Sequence, residues 1–105
     1  MNAASSGSLH ELEPGVLALR GVIDMHVGGE LRGAARRLLA AGPHREVWVD
    51  CAGITRSSSV GLSLLLCLLR DAQATGKHLR IRNLPTEMRE VAEVYGLLEL
   101  LPLAD

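Results

Sequence analysis

Three consecutive serines, Ser57, Ser58 and Ser59, follow Arg56 and stand directly before an apolar segment. A serine at the start of a helix accepts a hydrogen bond from one of the first N–H groups, which stabilises the helix by about 1 kcal/mol. One serine suffices for this cap. Because the amino end of a helix is electropositive, we predict that the cluster also recognises a partner's carboxylate, or is phosphorylated at Ser57, Ser58 or Ser59.

The other polar residues do not occur at the spacings that catalysis or metal binding requires. The four histidines are His10, His26, His44 and His78, and no two of them are four residues apart. The serine cluster does not match the Gly-x-Ser-x-Gly pattern of hydrolase nucleophiles, and the glycines do not spell a phosphate-binding loop. We therefore predict that the protein is not an enzyme and uses neither a metal nor a cofactor.

The two cysteines, Cys51 and Cys67, lie among apolar residues without a Cys-x-x-Cys spacing. This pattern predicts two buried, unpaired thiols in a reducing compartment. The first eight residues are small and polar, unlike a secretory signal. The longest apolar run, residues 64–69, is much shorter than the roughly 20 residues of a membrane-spanning helix. We expect a soluble, cytoplasmic protein.

Length and composition set further limits. The chain has 105 residues, of which 48% are hydrophobic, and its formal net charge is −1. That length fits one domain. There is no phenylalanine, and Trp48 and Tyr95 are the only aromatic residues, so we predict an aliphatic core. Neutral charge balance and few aromatic side chains both argue against nucleic-acid binding.

The hydropathy pattern places the serines between a strand and a helix of a larger α/β unit. It predicts strands over residues 9–13, 16–21, 46–51 and 78–82, and helices over residues 30–41, 59–75 and 86–95. Residues 52–56 are expected to form a loop, residues 22–29 are ambiguous, and residues 98–103 form either a short strand or an apolar tail. Strands that alternate with helices favour parallel neighbours. We predict a flexible segment over residues 1–8 and one domain over residues 9–105, with a mixed sheet and helices mainly on one face.

The helix after the serines has an unusual distribution of leucines. At about 100° per residue, one side carries four apolar residues and is the natural core face: Leu64, Leu65, Leu68 and Ala72. Leu66 projects into the opposite, polar side, and Leu62 lies at its border. A domain of this size has no second layer to cover that side, so we predict an interface there. The alternative is a single exposed leucine, which is common in proteins.

The segment 49–62 resembles the STAS family, named for sulfate transporters and anti-sigma-factor antagonists. The family pattern is a strand that ends in Asp, a small loop and a hydroxyl residue that opens an apolar helix. The matching residues, in order, are Asp50, Gly53, Ile54, Ser59, Gly61 and Leu62. Residues 80–85, 91–97 and 100–103 are most similar to the small cytoplasmic STAS subunit, MlaB-type, of the Mla phospholipid ABC transporter.

This resemblance implies a non-catalytic subunit that binds the transporter's ATPase subunit and supports its assembly and activity. The protein would then lie in the cytoplasm, held at the inner membrane by its partner. The partner-binding surface is predicted to comprise six residues: Arg56, Ser57, Ser58, Ser59, Leu62 and Leu66.

Two positions depart from the family pattern. Ser58 stands where the family has an acidic residue, and Val60 stands where anti-sigma-factor antagonists carry the phosphorylated serine. Because valine cannot accept phosphate, the second departure disfavours the main alternative, an antagonist that binds an anti-sigma serine kinase. A further alternative, carriage of a lipid or small ligand in a cavity, is disfavoured because an aliphatic core packs densely.

Overall fold

Apolar residues spaced for strands and for helices alternate along the chain and build a layered α/β structure. The computed structural model describes residues 6–57 and 59–104. Within them the elements are β1 (Ser8–Glu13), β2 (Val16–Ile23), α1 (Gly28–Ala41), β3 (Glu46–Ser57), α2 (Ser59–Ala74), β4 (His78–Arg82), α3 (Thr86–Val94) and a 3-10 helix (Leu98–Leu100).

The strands form a single mixed sheet in the order β1-β2-β3-β4. β1 and β2 are an antiparallel hairpin, closed by Pro14 and by Gly15 at a φ of +82°, a backbone conformation that favours glycine. β2 pairs with β3, and β3 with β4, in parallel, so α1 and α2 are the crossover connections. The predicted α/β class with a mixed sheet is confirmed.

The helices form one layer against the sheet, with α2 in contact with α1 on one side and α3 on the other. The core between sheet and helices is aliphatic, as the composition predicted, and the predicted inner face of α2 is buried in it. Arg32 of α1 donates two hydrogen bonds, both 3.0 Å long, to the Asp71 carboxylate of α2. This ion pair ties the two helices together at the surface.

β3 is longer than the sequence pattern indicates, because residues 52–56 continue the strand and do not form the expected loop. The parallel partner β2 also continues, and Ile23 pairs with Ser57 at the far end. Two register irregularities interrupt the pairing of these strands, one near Arg20 and one after Gly21. Irregularities of this kind disturb the period-two alternation of side chains, which explains why the pattern failed here.

Both chain ends carry more structure than expected. Within the segment predicted to be flexible, Ser8 belongs to β1 and Ser6 bridges to Val22; residues 1–5 lie outside the described residues. Near the other terminus, Leu103 forms an isolated parallel bridge with Ile81 of β4. Of the two alternatives for residues 98–103, pairing at the sheet edge is the one closer to the structure, after one turn of 3-10 helix.

Candidate protein-interaction site

The end of β3 and the start of α2 fit together through a glycine. Ser57, the last residue of β3, is half-buried beneath the first turn of α2. A Cβ atom on Gly61 would overlap the Ser57 Oγ atom and would lie 3.1 Å from Met88 Cε of α3. The glycine of the family pattern is therefore explained by steric contact, since a larger residue would require the side chains of Ser57 and Met88 to move.

A shallow groove, which we call the serine groove, opens beside this junction, between the amino end of α2 and the first turns of α3. Its volume is about 60 Å³, and it is lined by Ser57, Ser59, Leu62, Glu87, Met88 and Val91. Small-molecule sites are usually several hundred cubic ångströms in volume. The groove is thus better suited to one protruding side chain of a partner protein than to a whole ligand.

The groove continues onto an exposed part of α3. An open depression of about 260 Å³ is lined by Glu87, Glu90, Val91, Val94 and Tyr95. Glu87 and Val91 belong to both features, so the two form one surface, which we call the α2–α3 surface. Its most notable residues are Val94 and Tyr95, whose exposed fractions are 81% and 65%.

The sequence reasoning missed Val94, although a signal for it was present. On a helical wheel Val94 lies with Glu87 and Glu90, away from the buried Met88 and Ala92. Val94 is an apolar residue among acidic ones, just as Leu66 is an apolar residue on the polar side of α2. Tyr95 directly follows the end of α3 at Val94, and its ring is exposed.

The structure corrects the positions of the two leucines on α2. Leu62 is only 2% exposed and belongs to the core, and Leu66 is half-buried and packs against the core cluster. Ser59, Ser63 and Arg70 around Leu66 are exposed, as predicted. The expectation of an uncovered leucine is wrong because α2 is the middle helix of the layer, with a neighbouring helix on each side.

The serines and Arg56 do not form one continuous cluster. Ser57 faces the helix layer and Ser59 is exposed at the first residue of α2. Arg56 is exposed and pairs in register with Val22, one step before the inward-facing pair of Ile23 and Ser57. Strand alternation therefore directs Arg56 to the other face of the sheet. Ser58 lies outside the described residues.

Asp50 in β3 has a structural environment of its own. Its carboxylate accepts hydrogen bonds from the Ala52 N–H at 2.9 Å, from Arg82 Nε at 3.1 Å and from Asn83 Nδ2 at 3.2 Å. Burial by itself would raise the pKa of this carboxyl, but the hydrogen bonds from Ala52, Asn83 and Arg82 outweigh it and lower the pKa below its ordinary value. Asp50 is therefore ionised and held by donors on β3, on β4 and just after β4.

The cysteines have different environments, although both were predicted to be buried. Cys51 is fully buried, and burial, helped by the negative charge of Asp50, raises the pKa of its thiol to about 12. Cys67 is only half-buried on α2, which corrects the prediction. A thiol with such a high pKa does not form the thiolate that nucleophilic catalysis needs, so Cys51 is a core residue.

Two further properties of the described residues bear on function. Across residues 6–57 and 59–104, no group of three or more histidine, cysteine or acidic side chains is arranged to hold a metal ion. No helix in the same part of the chain has the length and apolar character needed to cross a bilayer.

The mixed sheet and the single helix layer define a class of small α/β domains. A family model described as "Mlab, STAS domain" matches residues 8–102. The chain therefore belongs to the STAS-domain family, whose members are generally regulatory binding modules that contact other proteins.

Solved structures with the same fold come from anti-sigma-factor antagonists. Unphosphorylated SpoIIAA has 19% sequence identity and a TM-score of 0.70, over 95% of this chain and 89% of that one. An anti-sigma-factor antagonist from Mycobacterium paratuberculosis has 20% identity and a TM-score of 0.67, over 93% of this chain and 83% of that one. At these identities the likeness establishes the fold alone.

Proposed function

We propose that this chain is a non-catalytic regulatory subunit that binds and supports the ATPase of a phospholipid-transport ABC system through its α2–α3 surface. The description of the matching family as Mlab supports the choice of partner. The observation that carries the proposal is the exposure of Val94 and Tyr95 beside the serine groove. Large apolar side chains grouped on a surface are typical of sites that another protein covers.

The charge of the surface indicates what the partner offers. Glu87 is the charged residue that lines the groove, and Glu90 stands beside it in the open depression. A carboxylate or phosphate in the groove would be repelled by Glu87, whereas a hydroxyl, an amide or a cationic side chain would be attracted. We therefore expect the ATPase to present apolar residues to Val94 and Tyr95, and a hydrogen-bond donor or a cation to the groove.

Such a subunit acts by linkage. A protein that binds the assembled, competent state of its partner more tightly than other states shifts the population toward that state. No reaction needs to occur on the subunit itself. Its place at the inner membrane follows from the partner that it binds.

The test is co-purification of the tagged protein from its native host, with mass spectrometry to identify the partner. We expect the ATPase subunit to co-purify with the native chain, and Val94→Asp to lower its yield at least tenfold because a charge would be desolvated at the contact. Ser59→Arg should also lower the yield, because its positive charge would repel a cation and its bulk would fill the groove that Ser59 lines. Ser59 is exposed, so folding should be retained.

The matched control for Val94→Asp is Gln73→Glu, which adds the same negative charge at an exposed site near the other end of α2. It should leave co-purification unchanged. Equal yields of the ATPase from the native chain and Val94→Asp would contradict the use of this surface. Recovery of a serine kinase in place of the ATPase would overturn the proposal in favour of an anti-sigma-factor antagonist.

A further inference from the structure

The face of the sheet opposite the helices carries a group of arginines. In-register neighbours on adjacent strands point to the same face, and Trp48 pairs with Arg80, Asp50 with Arg82, and Val22 with Arg56. Arg20 pairs with Gly53 on this face, and its stem lies across the glycine, since a Cβ there would be 3.2 Å from Arg20 Cβ. We call Arg20, Arg56, Arg80 and Arg82 the arginine row.

Trp48 orients two members of this row. The guanidinium carbon of Arg80 lies 5.2 Å from the centroid of the Trp48 ring, and that of Arg82 lies 5.9 Å from it. Contact with an aromatic face restricts a guanidinium group and leaves its donor edge available to a carboxylate. Trp48 itself is half-buried, so it supports these arginines and does not project as an anchor.

Three of the four arginines have no acidic partner among the described residues. Arg82 is paired with Asp50 at 3.1 Å, but Arg20, Arg56 and Arg80 make no ion pair with any residue in the described ranges. Two other acids have a register that places them on this face, Glu13 and Glu46; both lie toward the Arg80 end of the row, and neither lies beside Arg20 or Arg56. This face therefore has a local excess of positive charge at the arginine row, although the net charge of the chain is −1.

The length of the row indicates the shape of what binds it. The row runs from Arg80, beside Trp48, to Arg56. Trp48 and Arg56 pair with Val16 and Val22, which are six steps apart on β2, a distance of roughly 20 Å. That is too long for one small anion. Membrane-surface binding is less favoured, because it generally uses about four to eight clustered basic residues, and in the described part of the chain three members of the arginine row are unpaired.

We propose that the helix-free face binds an extended, carboxylate-rich segment of a partner protein along the arginine row. Each unpaired arginine would receive a carboxylate, with the bidentate geometry that guanidinium groups favour. This site lies on the other side of the sheet from the α2–α3 surface. The proposal for the arginine row does not depend on which partner binds the α2–α3 surface.

The test uses a ten-residue synthetic peptide of alternating glutamate and alanine, with a glutamine-for-glutamate peptide as its control. Trp48 is the only tryptophan, so its fluorescence reports directly on this face. We expect saturable binding of the acidic peptide that weakens as salt is raised, and no binding of the glutamine peptide. Backbone amide NMR shifts should map the contact to β2, β3 and β4.

Point variants test whether the peptide binds the arginine row or is attracted by positive charge anywhere on the protein. Arg80→Gln and Arg20→Gln should each weaken peptide binding at least fivefold, and either one suffices if the other fails to fold. Arg37→Gln, an exposed residue of α1, is the matched control and should have no effect. The proposal is overturned if Arg37→Gln weakens binding equally, if the two peptides bind alike, or if only vesicles containing phosphatidylserine perturb Trp48.

Discussion

Gly61 and Asp50 illustrate how single residues of the family pattern act through packing and hydrogen bonds. Gly61 leaves room for the Ser57 side chain and for Met88, so it allows α2 to begin immediately after β3. The Asp50 carboxylate accepts three hydrogen bonds, from donors on β3, on β4 and on the residue after β4. Neither residue needs a chemical role, because each holds together the elements that present the serine groove.

Asp50 should make stability depend on pH. Its pKa is lowered in the folded protein, so its contribution is present above the ordinary carboxyl pKa and is lost as pH falls through the lower folded value. We expect Asp50→Asn to reduce the free energy of unfolding by about 1–2 kcal/mol at pH 7. Urea unfolding between pH 2 and pH 7 should show that the difference in free energy of unfolding between the native chain and Asp50→Asn decreases as the pH falls.

The control for that measurement is Glu93→Gln, at an exposed position of α3. It should change stability little at either end of the pH range. A difference between the native chain and Asp50→Asn that stayed constant down to pH 2 would contradict the role given to the ionised carboxylate.

At the scale of the elements, α2 matters most because it lies in the middle of the helix layer. Its inner face follows the predicted leucine pattern, and its two flanks are covered by α1 and α3. The periodicity of one helix indicates which residues are apolar, but it does not indicate how many neighbours the helix has. For this reason Leu66, which lies on the polar side of α2 on a helical wheel, still packs against the core cluster.

Leu66 provides the matching prediction. We expect Leu66→Ala to lower the free energy of unfolding by about 1–2 kcal/mol, less than the roughly 3–4 kcal/mol of Leu65→Ala, because Leu65 is fully buried. Ser63→Ala, at an exposed position of the same helix, should change it by less than about 0.5 kcal/mol. Chemical denaturation of the three variants tests this order, and a neutral Leu66→Ala would mean that the side chain is free for a partner.

The whole molecule has two chemically different sides. The helix side carries Val94, Tyr95, Glu87 and Glu90, and the helix-free side carries the arginine row around Trp48. Each side is suited to a different partner chemistry, apolar with a donor or cation in one case and acidic in the other. The sheet and its core separate the two surfaces, so the two proposed binding sites would not overlap.

This separation predicts independent binding. Sites without shared contacts usually behave additively, so Val94→Asp should leave binding of the acidic peptide unchanged, and Arg80→Gln should leave co-purification of the ATPase unchanged. Titration of the peptide with each variant, and pull-down with each variant, complete the comparison. A loss of both activities in either single variant, with folding intact, would contradict two separate surfaces.

The amino-acid sequence alone was sufficient for the element types, the mixed sheet, the aliphatic core and the family, because these follow from local periodicity and from short motifs. It was not sufficient for the extent of β3, where bulges broke the alternation, or for the depth of Leu62 and Leu66. It also did not reveal that Arg56 and Ser57 face opposite ways, or that Val94 and Tyr95 stand beside the serine groove. Those features depend on which elements become neighbours, and only tertiary packing decides that, because contacts between distant segments leave no periodic trace in either one.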